Sequence, residues 1–251
     1  MTTPQRLNLT AYAPNLVGPD GRTIAIVRGM EQAMPGLRLE WEVGDGGQPI
    51  ELSHRESWLA EAATRGRFPL LCNGDESYPV TISGMRRSAS ASPRGQPQLQ
   101  IHAKLPLDSA VITAAMAVIE AVGEGAHAFW GHATPDDAAL DIAHQIAPTL
   151  EGPPAPRRGL PALKLFDRVR APEIPYYLGW LNYWSAASAR AIGFPDLARD
   201  ADLLSRARRT ETGGWVVRLT EAPLDLDDPA HLEALKQAYE RFPEIGARTA
   251  P

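Results

Sequence analysis

The chain has 251 residues, 44% of them hydrophobic and 22% charged, which excludes wholesale disorder and suffices for one large core or two small ones. Its 25 Lys and Arg against 30 Asp and Glu leave a net charge of -5, which argues against indiscriminate nucleic-acid binding. A single cysteine, Cys72, excludes an internal disulfide framework and any Cys-rich zinc site, and fits a reducing cytoplasm.

Leu7, Leu9 and Ala11 alternate with Arg6, Asn8 and Thr10, the pattern of a half-buried strand. No positive segment followed by an apolar one precedes it, and no stretch approaches the roughly 18 uninterrupted apolar residues of a membrane span. A soluble, cytoplasmic protein without a membrane partner is therefore expected. Ile24, Val27, Met30 and Met34 recur at helical spacing until Pro35-Gly36. Leu37, Leu39, Trp41 and Val43 alternate with Arg38, Glu40 and Glu42, a second strand over 37–43. Ser53, with Glu56 three residues on, predicts a capping box for a helix that ends at Gly66. Residues 80–85 and 99–105 predict a hairpin pair, joined by a mobile loop over 86–98.

Asp108 predicts the cap of the most hydrophobic helix, with Val111, Ile112, Ala115, Val118, Ile119 and Val122 on its broad apolar face and its end at Gly123 and Gly125. A short strand over 126–130 and a helix over 135–147 follow. Residues 152–161 are dense in Pro and predict a stiff connector. It separates an acidic half from an aromatic one within residues 1–251, which read as one unit. Residues 1–150 hold 11 Lys and Arg against 16 Asp and Glu, whereas residues 151–251 hold 14 of each. Beyond the connector come a strand over 176–184, a helix over 186–192 capped by Ser185, a helix over 200–209, a strand over 215–220 and a helix over 229–242 capped by Asp228. Polar residues alternate in at least three strands. The expected class is therefore α+β, a mainly antiparallel sheet with helices packed on one face and the other face partly wet.

Catalytic signatures do not emerge. The Gly-x-Ser-x-Gly elbow and the Walker A loop are both missing, and Gly123-Glu124-Gly125-Ala126-His127-Ala128 follows a helix instead of a strand, the reverse of dinucleotide geometry. His127, His132 and Asp136 form the densest set of metal-ligand types, without the His-Glu-x-x-His spacing of a zincin. They define an alternative reading, a metal-assisted hydrolase. No cofactor is expected. Asp225 and Asp227 stand ahead of Asp228-Pro229, where they favour a helix start or form a partner-facing patch. Tyr176, Tyr177, Trp180, Tyr183 and Trp184 fall within nine residues. Strand alternation puts Trp180, Asn182 and Trp184 on one face, as core or as interface anchors.

Tyr177-Leu178-Gly179-Trp180-Leu181-Asn182-Tyr183-Trp184-Ser185, followed by Gly213-Gly214-Trp215-Val216-Val217-Arg218-Leu219-Thr220, resembles immunity proteins of bacterial polymorphic toxin systems. The likeness is to the immunity protein 52 group and to a related uncharacterised family of predatory, high-GC soil bacteria, and is strongest over residues 176–243. Arg makes up 22 of the 25 basic residues, as GC-rich codons favour. The resemblance implies a non-catalytic α+β protein of the cytoplasm that binds one cognate protein toxin, commonly a restriction-endonuclease-like nuclease encoded beside it. An acidic inhibitor is steered to a site built to attract polyanion, so nucleic acid itself is not an expected partner. On that basis Glu40, Glu42, Trp180, Asn182, Trp184, Asp225 and Asp227 are the expected toxin contacts. A toxin-independent adaptor is the other rival to the hydrolase.

Overall fold

Alternation places β1 (Arg6–Pro14) in the middle of a ten-stranded antiparallel sheet, in a computed structural model that describes residues 5–44, 46–146 and 157–248. The other strands are β2 (Trp41–Val43), β3 (Pro49–Glu51), β4 (Phe68–Cys72), β5 (Thr81–Arg87), β6 (Gln98–Pro106), β7 (Trp130–Pro135), β8 (Leu181–Trp184), β9 (Ala207–Arg209) and β10 (Trp215–Arg218). Their order across the sheet is β3-β2-β4-β5-β6-β1-β7-β8-β10-β9. The helices are α1 (Arg22–Ala33), α2 (Arg55–Thr64), α3 (Ser109–Ala126), α4 (Asp136–Ala143), α5 (Ala186–Ala191), α6 (Ala201–Ser205) and α7 (Pro229–Arg241). The class is α+β. Pairing of β7 with β8 carries one sheet through both halves of the chain, with Trp130 opposite Trp184.

Register sorts the sheet into two faces. Leu7, Leu9, Ala11 and Ala13 share one with Leu105, Ala103, Ile101 and Leu99 across β6. Helix α3 packs there, so close to β8 that a Cβ on Gly123 would sit 2.7 Å from the Tyr183 ring. Helix α1 packs on α3. By length and composition α3 is apolar enough to cross a bilayer, yet Val111, Ala115, Val118, Ile119 and Val122 are all buried in the core. The opposite face carries Asn8, Thr10 and Tyr12, with Lys104, His102 and Gln100 across β6. Over β8 the carboxy-terminal chain covers this face, since Trp184 meets the Phe194 and Phe242 rings at 5.0 and 5.3 Å. Over β5, β6 and β1 it stays partly open: Met85 is 55% exposed, and Ser83, His102 and Thr10 are half-buried.

Several elements differ from what local pattern predicts. The strand over 37–43 shortens to Trp41–Val43 because the Leu39 N–H donates to Glu31 Oε1 at 2.8 Å. No capping box forms at Ser53. His54 occupies the cap position without a side-chain bond, and Glu56 pairs with Arg28 on α1. Strands β3 and β4 give no alternation signal, the first being short and exposed and the second bulged between Phe68 and Leu71. The span 86–98 is ordered, with β5 running to Arg87 and 3-10 turns over Ala89–Ala91 and Pro93–Gly95. Helix α3 continues through Gly123 and Gly125 and ends at His127, whose φ of 50° is left-handed. That extension delays the next strand to Trp130. The helix expected over 200–209 stops at Ser205 and gives way to β9, which pairs with β10. Of the Pro-rich connector, residues 152–156 lie outside the described residues.

Candidate functional site

The aromatic segment is core. Only Leu181–Trp184 is strand, and Trp180, Asn182 and Trp184 are 1%, 0% and 0% exposed. Asn182 folds back on the preceding turn, accepting from Gly179 N–H at 3.0 Å and donating to Gly179 C=O at 3.0 Å. Trp180 Nε1 donates to Thr220 C=O at 2.9 Å. These three side chains cannot touch a partner in this fold, which corrects their expected role as contacts. The polar Asn182 is buried because it satisfies a turn of its own chain.

The histidine set is also dispersed. His127 is the exposed C-cap of α3, His132 lies on β7, and Asp136 opens α4, where Asn8 Nδ2 donates to its carboxylate. Among the described residues no three His, Cys, Asp or Glu side chains are placed to hold a metal ion, so the structure does not bring the trio together. His132 and His102 instead flank Thr10 in one cross-strand row, Ser83–His102–Thr10–His132. Burial, then the charge of His102, pushes His132 down to about 4. His102 is lowered by burial and by Lys104 and Arg87. Both rings are neutral at pH 7, and the row is a neutral polar strip.

Glu40 and Glu42 lie at the opposite end of the sheet. There β2 pairs with β3 so that Trp41 faces Glu51, and the turn after β4 lies against the Trp41 indole beside Gly74. Asp75 and Glu76 follow in that turn. Hydrogen bonds from the Ser77 side chain and backbone hold the Asp75 carboxyl below its usual range. Among the described residues Glu40, Glu42, Glu51, Asp75 and Glu76 form no ion pair, and Ile50 beside them is 45% exposed. Glu40 is exposed and Glu42 half-buried. Asp225 and Asp227 are exposed too, but far from this end. Arg158 ties Asp227 to Asp141 of α4, which packs on β1 and β7, and four strands intervene between β2 and β7. The predicted acidic contacts form two patches.

The model of a family described as Domain of unknown function (DUF5953) matches residues 18–250. The chain belongs to this family. No curated protein matches it in sequence. Among solved structures it is similar to the Pseudomonas aeruginosa T6SS protein PA0821, at 18% identity and a TM-score of 0.58, over 96% of this chain and 73% of that one. At that identity the likeness is one of fold.

Sequence reading of this DUF5953 chain missed that Glu51, Asp75 and Glu76 share one end of the sheet with Glu40 and Glu42, because β3 and β4 carry no periodic signal. It also missed a cleft on the open polar face, between Tyr12 and Gln100 on one side and Phe166, Tyr176 and Tyr177 on the other. Alternation along β1 marks Tyr12 as facing with Thr10, but nothing local reports that Gln100 Nε2 donates to its hydroxyl at 3.1 Å.

Proposed function

We propose that this DUF5953 protein is a cytoplasmic immunity protein that binds and neutralises a cognate protein toxin without catalysing a reaction. The observation that carries the reading is the acidic end of the sheet, where β2, β3 and the turn after β4 bring together five carboxylates without ion pairs, Glu51 opposite Trp41 and Glu40 and Glu42 towards the other face. Clustered like charges repel one another and destabilise the fold, so an end left uncompensated suits a basic partner that is steered to it. Trp41 supplies the aromatic anchor that interface hot spots favour, and Ile50 adds exposed apolar area. The fold likeness to a T6SS protein agrees with a secretion-linked toxin and its inhibitor. A nuclease is the toxin class that fits best, since its substrate surface must attract polyanion and an acidic edge would occlude it.

The test is protection. The gene immediately upstream is expressed in a heterologous bacterium with and without this chain, and surviving cells are counted. Rescue together with an equimolar complex supports immunity. A harmless neighbour, or a lethal one neither bound nor blocked, removes it, and several clients in a pull-down point to an adaptor. Within the complex, Glu40→Lys with Glu42→Lys should slow association about tenfold or more and flatten its salt dependence in stopped-flow measurements. Unchanged kinetics would place the interface away from β2.

A further inference from the structure

The open part of the polar face ends in a cleft of about 500 Å³, a size that accepts a small ligand or one or two side chains. Its walls are aromatic. The Tyr12 ring lies 5.2 Å from Phe166, Phe166 meets Tyr176 edge-on at 5.0 Å, and Tyr176 meets Tyr177 at 4.6 Å. Two large apolar side chains stand exposed around it, Leu165 on its lining at 57% and Met85, opposite Gln100 in the sheet, at 55%.

One cation faces this aromatic surface. The Arg87 guanidinium lies 4.5 Å over the Phe166 ring, donates through Nη1 to Gln100 Oε1 at 3.0 Å and through Nη2 to Ala91 C=O at 2.9 Å. Its Nε–H is buried without a partner. Among the described residues no carboxylate hydrogen-bonds or ion-pairs Arg87, although Asp167 stands exposed on the cleft lining. The Tyr177 hydroxyl likewise has no hydrogen-bond partner among them. A half-buried charge with neutral partners only is poorly compensated, and a guanidinium fork matches a planar carboxylate better than any other common anion of that shape.

We propose that this cleft is a binding site for an apolar, preferably aromatic, group that carries a carboxylate. The ring packs against the cleft wall formed by Phe166, Tyr177 and Leu165, and the carboxylate accepts from Arg87 and from the Tyr177 hydroxyl. The proposal concerns the cleft alone and does not rest on the immunity reading, whose acidic surface is built on β2, β3 and the turn after β4.

The full chain is titrated calorimetrically with N-acetylphenylalanine and with its neutral carboxamide. The acid should bind about tenfold tighter or more, and Arg87→Gln should erase that difference. Because Arg87 also braces Gln100, a second variant guards the test: Leu165→Glu, at an exposed position, should weaken the acid more than the carboxamide. Equal affinities, a preference that survives Arg87→Gln, or no binding of either acid probe at about 10 mM would overturn the site. The second acid probe is acetyl-Phe-Asp-amide, with its carboxylate on a side chain. Tighter binding of the peptide assigns the site to a protein-borne carboxylate, and tighter binding of the free amino-acid derivative to a small acid.

Discussion

His132 has a stretch of β7 on either side and the Tyr177 ring 5.7 Å away, packed edge to face. That packing removes water from the imidazole and favours its neutral form, down to about 4, whereas an unfolded-chain histidine titrates near 6.5. As pH falls from about 6.5 towards 4 the unfolded state takes the proton first, so stability drops across that window and levels off above it. His102, lowered in the same direction, adds to the slope. Urea unfolding from pH 4 to 7 should show the fall, and His132→Gln should flatten it. An unaltered slope in the variant would assign the dependence to another group. At this scale sequence and structure part company most clearly at Asn182. Alternation leaves the Trp180, Asn182 and Trp184 face as either core or interface, and only the two bonds of Asn182 to Gly179 make its burial tolerable.

The elements show which local signals carry weight. Asp108 was legible as a cap because it precedes a long apolar stripe, and its Oδ1 accepts from Val111 N–H at 2.8 Å. Ser53 also read as a cap, with Glu56 three residues on, but its helix begins beyond it with Glu56 drawn to Arg28. Asp108→Ala should therefore cost about 1 kcal/mol and Ser53→Ala less than about 0.5 kcal/mol, measured by chemical denaturation. Gly123 and Gly125 read as a helix end and turned out to be contact points. Replacing a mid-helix glycine by alanine ordinarily stabilises by up to about 1 kcal/mol. At Gly125 the new Cβ would lie 2.9 Å from the Ile26 backbone nitrogen of α1, an atom that cannot swing aside. Gly125→Ala should accordingly lower stability, by about 1–3 kcal/mol, and a rise in Tm would show that the two helices have room to part.

Over the whole molecule, β7 and β8 join an acidic half to an aromatic half in one sheet, with Trp130 stacked on Tyr12 at 4.2 Å on one side of the seam and Trp184 held by Phe194 and Phe242 on the other. Hydrogen exchange at the amides of β1 and β10 should report opening free energies within about 1 kcal/mol of each other. A wider gap would mean that the halves open separately. The sequence by itself determined the α+β class, the central strand, the long helices and the caps at Asp108, Ser185 and Asp228, because each rests on a period or a bond spanning a few residues. Only the tertiary structure decided which strand faces are covered. It buried Trp180 and Trp184, separated His127 from His132, brought Glu51, Asp75 and Glu76 to the end of the sheet that holds Glu40, and set Arg87 over Phe166. Burial depends on what another part of the chain lays against a strand, and those partners come from remote segments, as the 88 residues between Tyr12 and Gln100 illustrate.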